Sequence, residues 1–242
     1  LIFKVLSDEI LPLLAIEIRH PTTKEVSFAV IDYQKSTLLF DGLGLDESWW
    51  VGLTGFVGGK LFFHTFEDKE YPAPKGMIVA DALEQALLWE KKGAYIEEIT
   101  ENEVLISFLE NDTKKIQLLD NQTGNSLEKS SDQQRYTVNQ VIFPSQYEAG
   151  TGYFETVSNF LKQKFGVIPV QQLDYLEFGD YIVIAYLTEG GSFILILNQI
   201  GEVLFHQIMD SKTNSVGAES FFMVNNFIIS IADRKKLLIF KL

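Results

Sequence analysis

The stretch from Asp41 to Trp50, DGLGLDESWW, gathers the residue types in this chain best suited to chemistry: three acids, two glycines and two adjacent tryptophans. Asp46 and Glu47 offer carboxylates, while Trp49 and Trp50 offer rings on which a sugar or metabolite could stack. Read as a site, these four residues form a ligand platform. Acid–base work by its carboxylates would need two of them held across a cleft, in environments that separate their pKa values. A plainer reading stands beside it. The pattern predicts a strand over Trp49–Phe56, in which adjacent side chains point to opposite faces. One tryptophan then packs between sheets, and the other either packs at a rim or faces a channel or loop. Gly42 and Gly44 make the backbone pliable, but no helical pattern follows to present its N-terminus to a phosphate, so a nucleotide site is excluded.

The other reactive residue types are scattered. The three histidines, His20, His64 and His206, form no H-x-H or H-E-x-x-H spacing, and read as separate structural or surface residues. The acid pairs Asp8-Glu9 and Glu67-Asp68 fall in or beside turns, where both charges are expected to face water. Glu97-Glu98 falls in a short strand that sends the two side chains to opposite faces. No calcium loop, nucleophile elbow, Walker sequence or G-x-G-x-x-G loop is present. The sequence therefore assigns no catalytic, cofactor-binding or metal-binding residue, and no cofactor is expected.

Bulk composition narrows the classes further. At 242 residues with no cysteine, the chain has no disulfide, no thiol chemistry and no cysteine-ligated metal. A chain of this size buries roughly 70–75% of its unfolded surface and needs no such staple. The net charge of −13 disfavours a phosphate-backbone partner, and the longest basic cluster, Arg234-Lys235-Lys236, reads as a solvated hairpin turn. No apolar run of 18 residues occurs, and the first twenty residues, broken by Lys4, Asp8 and Glu9, fit neither a signal peptide nor an anchor. The chain starts at Leu1 rather than at a methionine, which leaves a leading segment open. The cytoplasm is the default expectation, with the periplasm as the alternative if a leader has been removed.

These residues must be positioned by a unit that recurs: strand, turn built on Asp or Asn, strand. Aligning Asp81, Asp120 and Asn198 gives separations of 39 and 78 residues, and Asp32 lies 49 residues before Asp81. A period near 40 with only β-type segments between the turns predicts an all-β fold, a small five-bladed β-propeller over residues 1–242. The blades run 1–40, 49–90, 95–128, 171–206 and 219–241, with an insertion at about 130–169. Within the insertion, 136–143 reads as extended. Gly152–Gly166 reads as a helix, because Phe154, Val157, Leu161 and Phe165 recur at helical spacing and Phe160 widens the stripe. The last blade is one strand short, and the expected remedy is a rim strand from N-terminal residues preceding Leu1. The strands are apolar at successive positions, which predicts burial of both faces. A two-sheet sandwich is the competing fold.

The segment GMIVADALEQALLWE resembles the blade repeat of quinoprotein-type propellers, with Asp81 and Trp89 on its pattern and Glu84-Gln85 where Thr-Gly is usual. Asp120, Thr123 and Gly124 recover that turn but lack the tryptophan. The cofactor of those enzymes does not carry over, since the chain is too short for eight blades and lacks vicinal cysteines. The order of elements as a whole resembles a small uncharacterised domain family from Bacteroidetes. That resemblance implies a fold and a lineage but supplies no functional residue. The resulting expectation is a monomeric, non-enzymatic module that binds another protein through one propeller face. The alternative is a small-molecule or glycan-binding propeller, with hydrolysis as its extension, built on Trp49, Trp50, Asp46 and Glu47.

Overall fold

The computed structural model describes residues 1–43, 45–67, 74–128, 139–211 and 220–242. Gly44, Asp68, the first part of the insertion (130–138) and Glu219 lie outside them. The chain divides into two compact units, Leu1–Asn139 and Gln140–Leu242.

The first unit holds three antiparallel sheets of four strands each. β1 (Ile2–Ser7), β2 (Leu13–His20), β3 (Glu25–Asp32) and β4 (Thr37–Asp41) form the first. β5 (Val51–Val57), β6 (Lys60–Phe66), β7 (Pro74–Asp81) and β8 (Ala86–Lys92) form the second. The third contains β9 (Ala94–Ile99), β10 (Glu103–Glu110), β11 (Thr113–Asp120) and β12 (Ser126–Leu127). Each sheet pairs its strands in chain order, so every connection within it is a hairpin.

The repeated aspartates have one hydrogen-bonded role. Asp32, Asp81 and Asp120 each stand at the end of the third strand, opposite the first residue of the second: Leu13, Lys60 and Glu103. The carboxylate then turns back on its own chain. Asp32 Oδ1 accepts from the amides of Gln34 and Lys35, Asp81 Oδ1 from Leu83 and Glu84, and Asp120 Oδ1 from Gln122 and Thr123. Short acidic side chains stabilise turns in this way. Four residues after each aspartate the backbone is left-handed, at Ser36, Gln85 and Gly124. The three aspartates thus mark one recurring turn, whereas Asn198 holds a different one, its Oδ1 accepting from the Glu202 amide with Gly201 left-handed three residues on.

Packing in this unit follows the strand alternation. Leu61 and Phe63 of β6 face a core shared with the first sheet, including Phe28, Val30 and Leu13. Phe62, between them, faces the opposite way, into a core with Val104, Ile106 and Leu119 of the third sheet. The second sheet is covered on both faces, as its apolar strands require. Burial on the third sheet is less complete than expected: Leu109 and Ile116 are 65% and 64% exposed.

Asp8 departs from the sequence expectation. It is fully buried rather than facing water. Its Oδ1 accepts from Ile10, Leu11 and Gly58 amides, and its Oδ2 from the Gly59 amide at 2.6 Å. The cause is the Gly58-Gly59 turn. Both glycines are at positive φ, and successive unshielded amides of this kind make a concavity for an anion. Asn139 closes the same loop by donating to the carbonyls of Asp8 and Leu11.

The second unit contains β13 (Val141–Ile142), β14 (Ser145–Glu148), α1 (Gly152–Phe165), β15 (Gln172–Phe178), β16 (Tyr181–Thr188), β17 (Gly191–Asn198), β18 (Val203–Asp210), β19 (Phe221–Val224), β20 (Phe227–Ala232) and β21 (Lys236–Lys241). β14–β18 form a five-stranded sheet, and β13-β19-β20-β21 a four-stranded one. The strand that completes the last sheet thus comes from the insertion and pairs with β19. It is not an N-terminal strand at the far edge, as the sequence suggested. Val141 and Ile142 lie directly opposite Val224 and Met223, and Asn225 exchanges hydrogen bonds with Gln140. Short as it is, this strand satisfies backbone groups that β19 would otherwise leave bare.

The helix forms where its stripe predicts. Thr151 caps it by accepting from the Phe154 amide, and Gly166, left-handed at φ 67°, ends it. Phe154 and Leu161 are buried, with Val157 and Phe165 beside them, against Leu173, Ile184, Tyr186, Leu195 and Leu197 of the five-stranded sheet. Phe160 does not widen the stripe and is 36% exposed. One residue on an α-helix turns about 100°, which carries Phe160 away from the face that Leu161 buries. The opposite face of this sheet, with Val183, Ala185, Ile194 and Ile196, packs on Phe221, Met223 and Ile228 of the last sheet.

Candidate interaction surface

The residues singled out by sequence come together as one bend ahead of β5, with the two tryptophans outside the strand that was predicted to start at Trp49. Glu47 explains the later start. Its Oε1 accepts from the amides of both Trp49 and Trp50, at 3.1 and 3.0 Å, and holds the chain in a turn. Burial alone would raise the Glu47 pKa, but these amides and the nearby Lys75 charge outweigh it and hold the carboxyl below its ordinary range. Asp46 is exposed, and both tryptophans are half-buried. The Trp49 ring already has cationic company: the Arg19 guanidinium lies 5.0 Å from its centroid and the Lys24 ammonium 4.9 Å. Arg19 is fixed in turn, donating to Glu17, to the Trp49 carbonyl and to the Val51 carbonyl. Buried Glu17 also accepts from the Leu53 amide. This network ties the first sheet to the second.

The three histidines have different surroundings. His20 is exposed beside Ser27. His64 accepts from the Ile96 amide at 3.0 Å, and burial together with the Lys4 charge pushes its pKa down. His206 is hydrogen-bonded to the Tyr186 hydroxyl at 2.7 Å and lies against Phe165 and Phe193. Burial lowers the His206 pKa and raises that of Tyr186 to about 12. Among the described residues, no three His, Asp or Glu side chains converge as a metal site. No helix among them is long and apolar enough to cross a membrane.

A surface that sequence reasoning missed lies where α1 begins. Tyr153, in the first helical turn, is 71% exposed, and its ring stacks on that of Tyr147 from β14, with centroids 5.1 Å apart and planes at 16°. Tyr147 in turn meets Tyr175 of β15 at 6.0 Å. The Tyr175 hydroxyl donates to Glu177, and burial with that carboxylate drives its pKa up. The row is held rigidly. Tyr147 and Tyr175 are half-buried against the helix core, and the Thr151 cap, bonded to the Glu148 carbonyl, fixes the turn that carries Tyr153. A signal was available in the tyrosines that bracket the Gly150-Thr151-Gly152 cap. It depends, however, on β14 pairing with β15 across the helix, which periodicity does not reveal.

Comparisons with known proteins find a family match over part of the chain and several distantly similar structures. Residues 7–89 match the family described as a domain of unknown function (DUF4905). No curated protein matches the chain. Among solved structures, it is similar to the β-propeller domain of the Trilobed protease from Pyrococcus furiosus, with 8% identity and a TM-score of 0.36, over 99% of this chain and 64% of that one. It is also similar to an acylaminoacyl peptidase from Pyrococcus horikoshii, with 11% identity and a TM-score of 0.33, over 99% and 38%. TolB from Acinetobacter baumannii gives 11% identity and a TM-score of 0.32, over 95% and 61%. The chain thus spans less than two thirds of each of these structures, and no residue role is transferred from them.

Proposed function

We propose that the chain is a five-bladed β-propeller that serves as a non-catalytic binding module for another protein, with the tyrosine row at the start of α1 as its contact surface. The observation that carries this reading is Tyr153, a large aromatic side chain held 71% exposed on a capped helix and stacked on a neighbour. Rigid exposed aromatics are the side chains that dominate protein contacts, since they bring large area at little entropic cost. The test is a photo-crosslinking residue at position 153, with a second placed at exposed Glu110 as control. Capture of one defined protein from position 153 alone supports the module, and equal capture from both positions overturns it.

The second reading keeps Trp49, Trp50, Asp46 and Glu47 as a small-molecule platform, supported by the partial exposure of both rings. A folded Trp49→Ala, Trp50→Ala double variant that loses a sugar or metabolite bound by the parent would favour it.

A further inference from the structure

We propose that His64 is an acid-sensitive latch on strand β9, closed while its ring is neutral and released when the ring is protonated. β9 is the edge strand of the third sheet, with no strand beyond it to take its outer backbone groups. The Ile96 amide finds its acceptor in the second sheet instead, donating to Nε2 of His64 on β6 at 3.0 Å. The direction of that bond makes the residue a switch. A ring nitrogen that accepts is unprotonated, and an amide can only donate, so neither side can adapt when Nε2 gains a proton. The other two histidines are placed differently: His20 is exposed beside Ser27, and His206 meets a hydroxyl that can donate or accept.

The charged groups packed around the ring oppose its protonation or are directed elsewhere. Lys4 of β1 adds a positive charge nearby and, together with burial, favours the neutral form. Glu17 and Arg19 of β2 lie beyond Gly52, the residue opposite His64, and are bound to each other. On β9, Glu97 is engaged by Ser107 and Lys114. Glu98 lies opposite Leu105, on the face turned away from Val104 and Ile106 and hence from the second sheet. Met77 of β7 and the Phe66 ring, which complete the surroundings, carry no charge. The stretch to be released is short. Glu97 has no residue opposite it in β10, because the register shifts there. Ile99 pins one end by filling the space over Gly55, and Ala94 is fully buried at the other. Protonation therefore frees residues 95–98 and leaves the core of the third sheet in place.

The test is amide exchange at Ile96 in the full chain, followed by NMR from about pH 8 to about pH 5 and corrected for the intrinsic rate, while the His64 ring signals report its own titration. The open form titrates near 6.5 and the closed form lower. Protection is expected to be complete above about 6.5, to fall by up to about tenfold per pH unit below it, and to level off once the closed form is itself protonated. Because the opening is local, exchange at Ile96 should not respond to low denaturant, unlike exchange of β6 and β10 amides that requires global unfolding. His64→Gln keeps an acceptor for Ile96 and does not titrate, so its Ile96 protection should stay constant over the same range. Circular dichroism checks that this variant is folded, and the parent titration decides without it. Ile96 protection that is unchanged while the His64 ring titrates overturns the proposal. So does exchange at Ile96 that follows denaturant as steeply as β6 and β10, or the same pH dependence in folded His64→Gln.

Discussion

The sheet β5–β8 of the first unit and the sheet β14–β18 of the second pose the same physical problem and receive different solutions. Both alternate apolar side chains to both faces: Leu61 and Phe63 against Phe62 in one, Val183 and Ala185 against Ile184 and Tyr186 in the other. In the first unit both faces are covered by sheets. In the second, one face is covered by a sheet and the other by α1. A strand apolar on both sides therefore demands cover but does not specify its kind. The helix also exposes what a covering sheet in the first unit does not, a tyrosine standing at its capped end.

If both covers are equivalent, deletions beneath them should cost similar amounts. Phe62→Ala is expected to destabilise by about 3–5 kcal/mol, and Leu161→Ala by about 2–4 kcal/mol, in denaturant unfolding. An unchanged midpoint for Leu161→Ala would break the comparison, because the helix would then be ornament rather than cover. Removing the Asp8 carboxylate strands four backbone donors, so Asp8→Ala should cost about 2–3 kcal/mol and speed amide exchange at Gly58 and Gly59. Protection unaltered at those two amides would refute the clamp.

The turn glycines sharpen the contrast. Gly124 and Gly201 are both left-handed, at φ 69° and 77°, so alanine is strained at each. At Gly124 an added carbon would also meet the Trp89 ring at 2.7 Å, and that ring is tethered by its bond to the Asn121 carbonyl. At Gly201 the obstacle is the movable end of Lys164. Gly124→Ala should therefore exceed Gly201→Ala by about 1 kcal/mol, measured as the difference in unfolding free energy. Equal costs would show that the tryptophan yields.

The smallest effect is in pH. The folded pKa values of His64 and His206 both lie below the unperturbed 6.5, so the unfolded chain binds more protons. Stability is then complete above 6.5 and falls as pH drops from there through the folded values. Tyr186 can reverse its hydroxyl to accept from a protonated His206, whereas the Ile96 amide facing His64 cannot accept. His64→Gln should accordingly flatten the acid-side slope more than His206→Gln, and the reverse order would overturn this account.

Local chemistry was legible in the sequence. The aspartate turns, the hairpin glycines and the Thr151–Gly166 helix each depend on residues close together along the chain, and their spacing located them to within a few positions. Asp8 was not legible, because two of its four donors, the Gly58 and Gly59 amides, are about fifty residues away and a turn acid normally faces solvent. The tryptophans were visible as types, but their use was not: Glu47 keeps them in a turn ahead of the strand, and Arg19 and Lys24 occupy the Trp49 ring. The tyrosine row needs β14 and β15 to be neighbours across an intervening helix. Nothing in a two-residue period reports that pairing.

The short strand β13 has a consequence in time. Its partner β19 leaves the ribosome roughly eighty residues later, on the order of ten seconds of synthesis. Until then Val141 and Ile142 wait while the five-stranded sheet beside them in the sequence can already assemble. The last sheet is therefore the final one to set, and a translational pause between the two strands would lengthen the window in which a protease or a neighbouring nascent chain meets an unfinished edge.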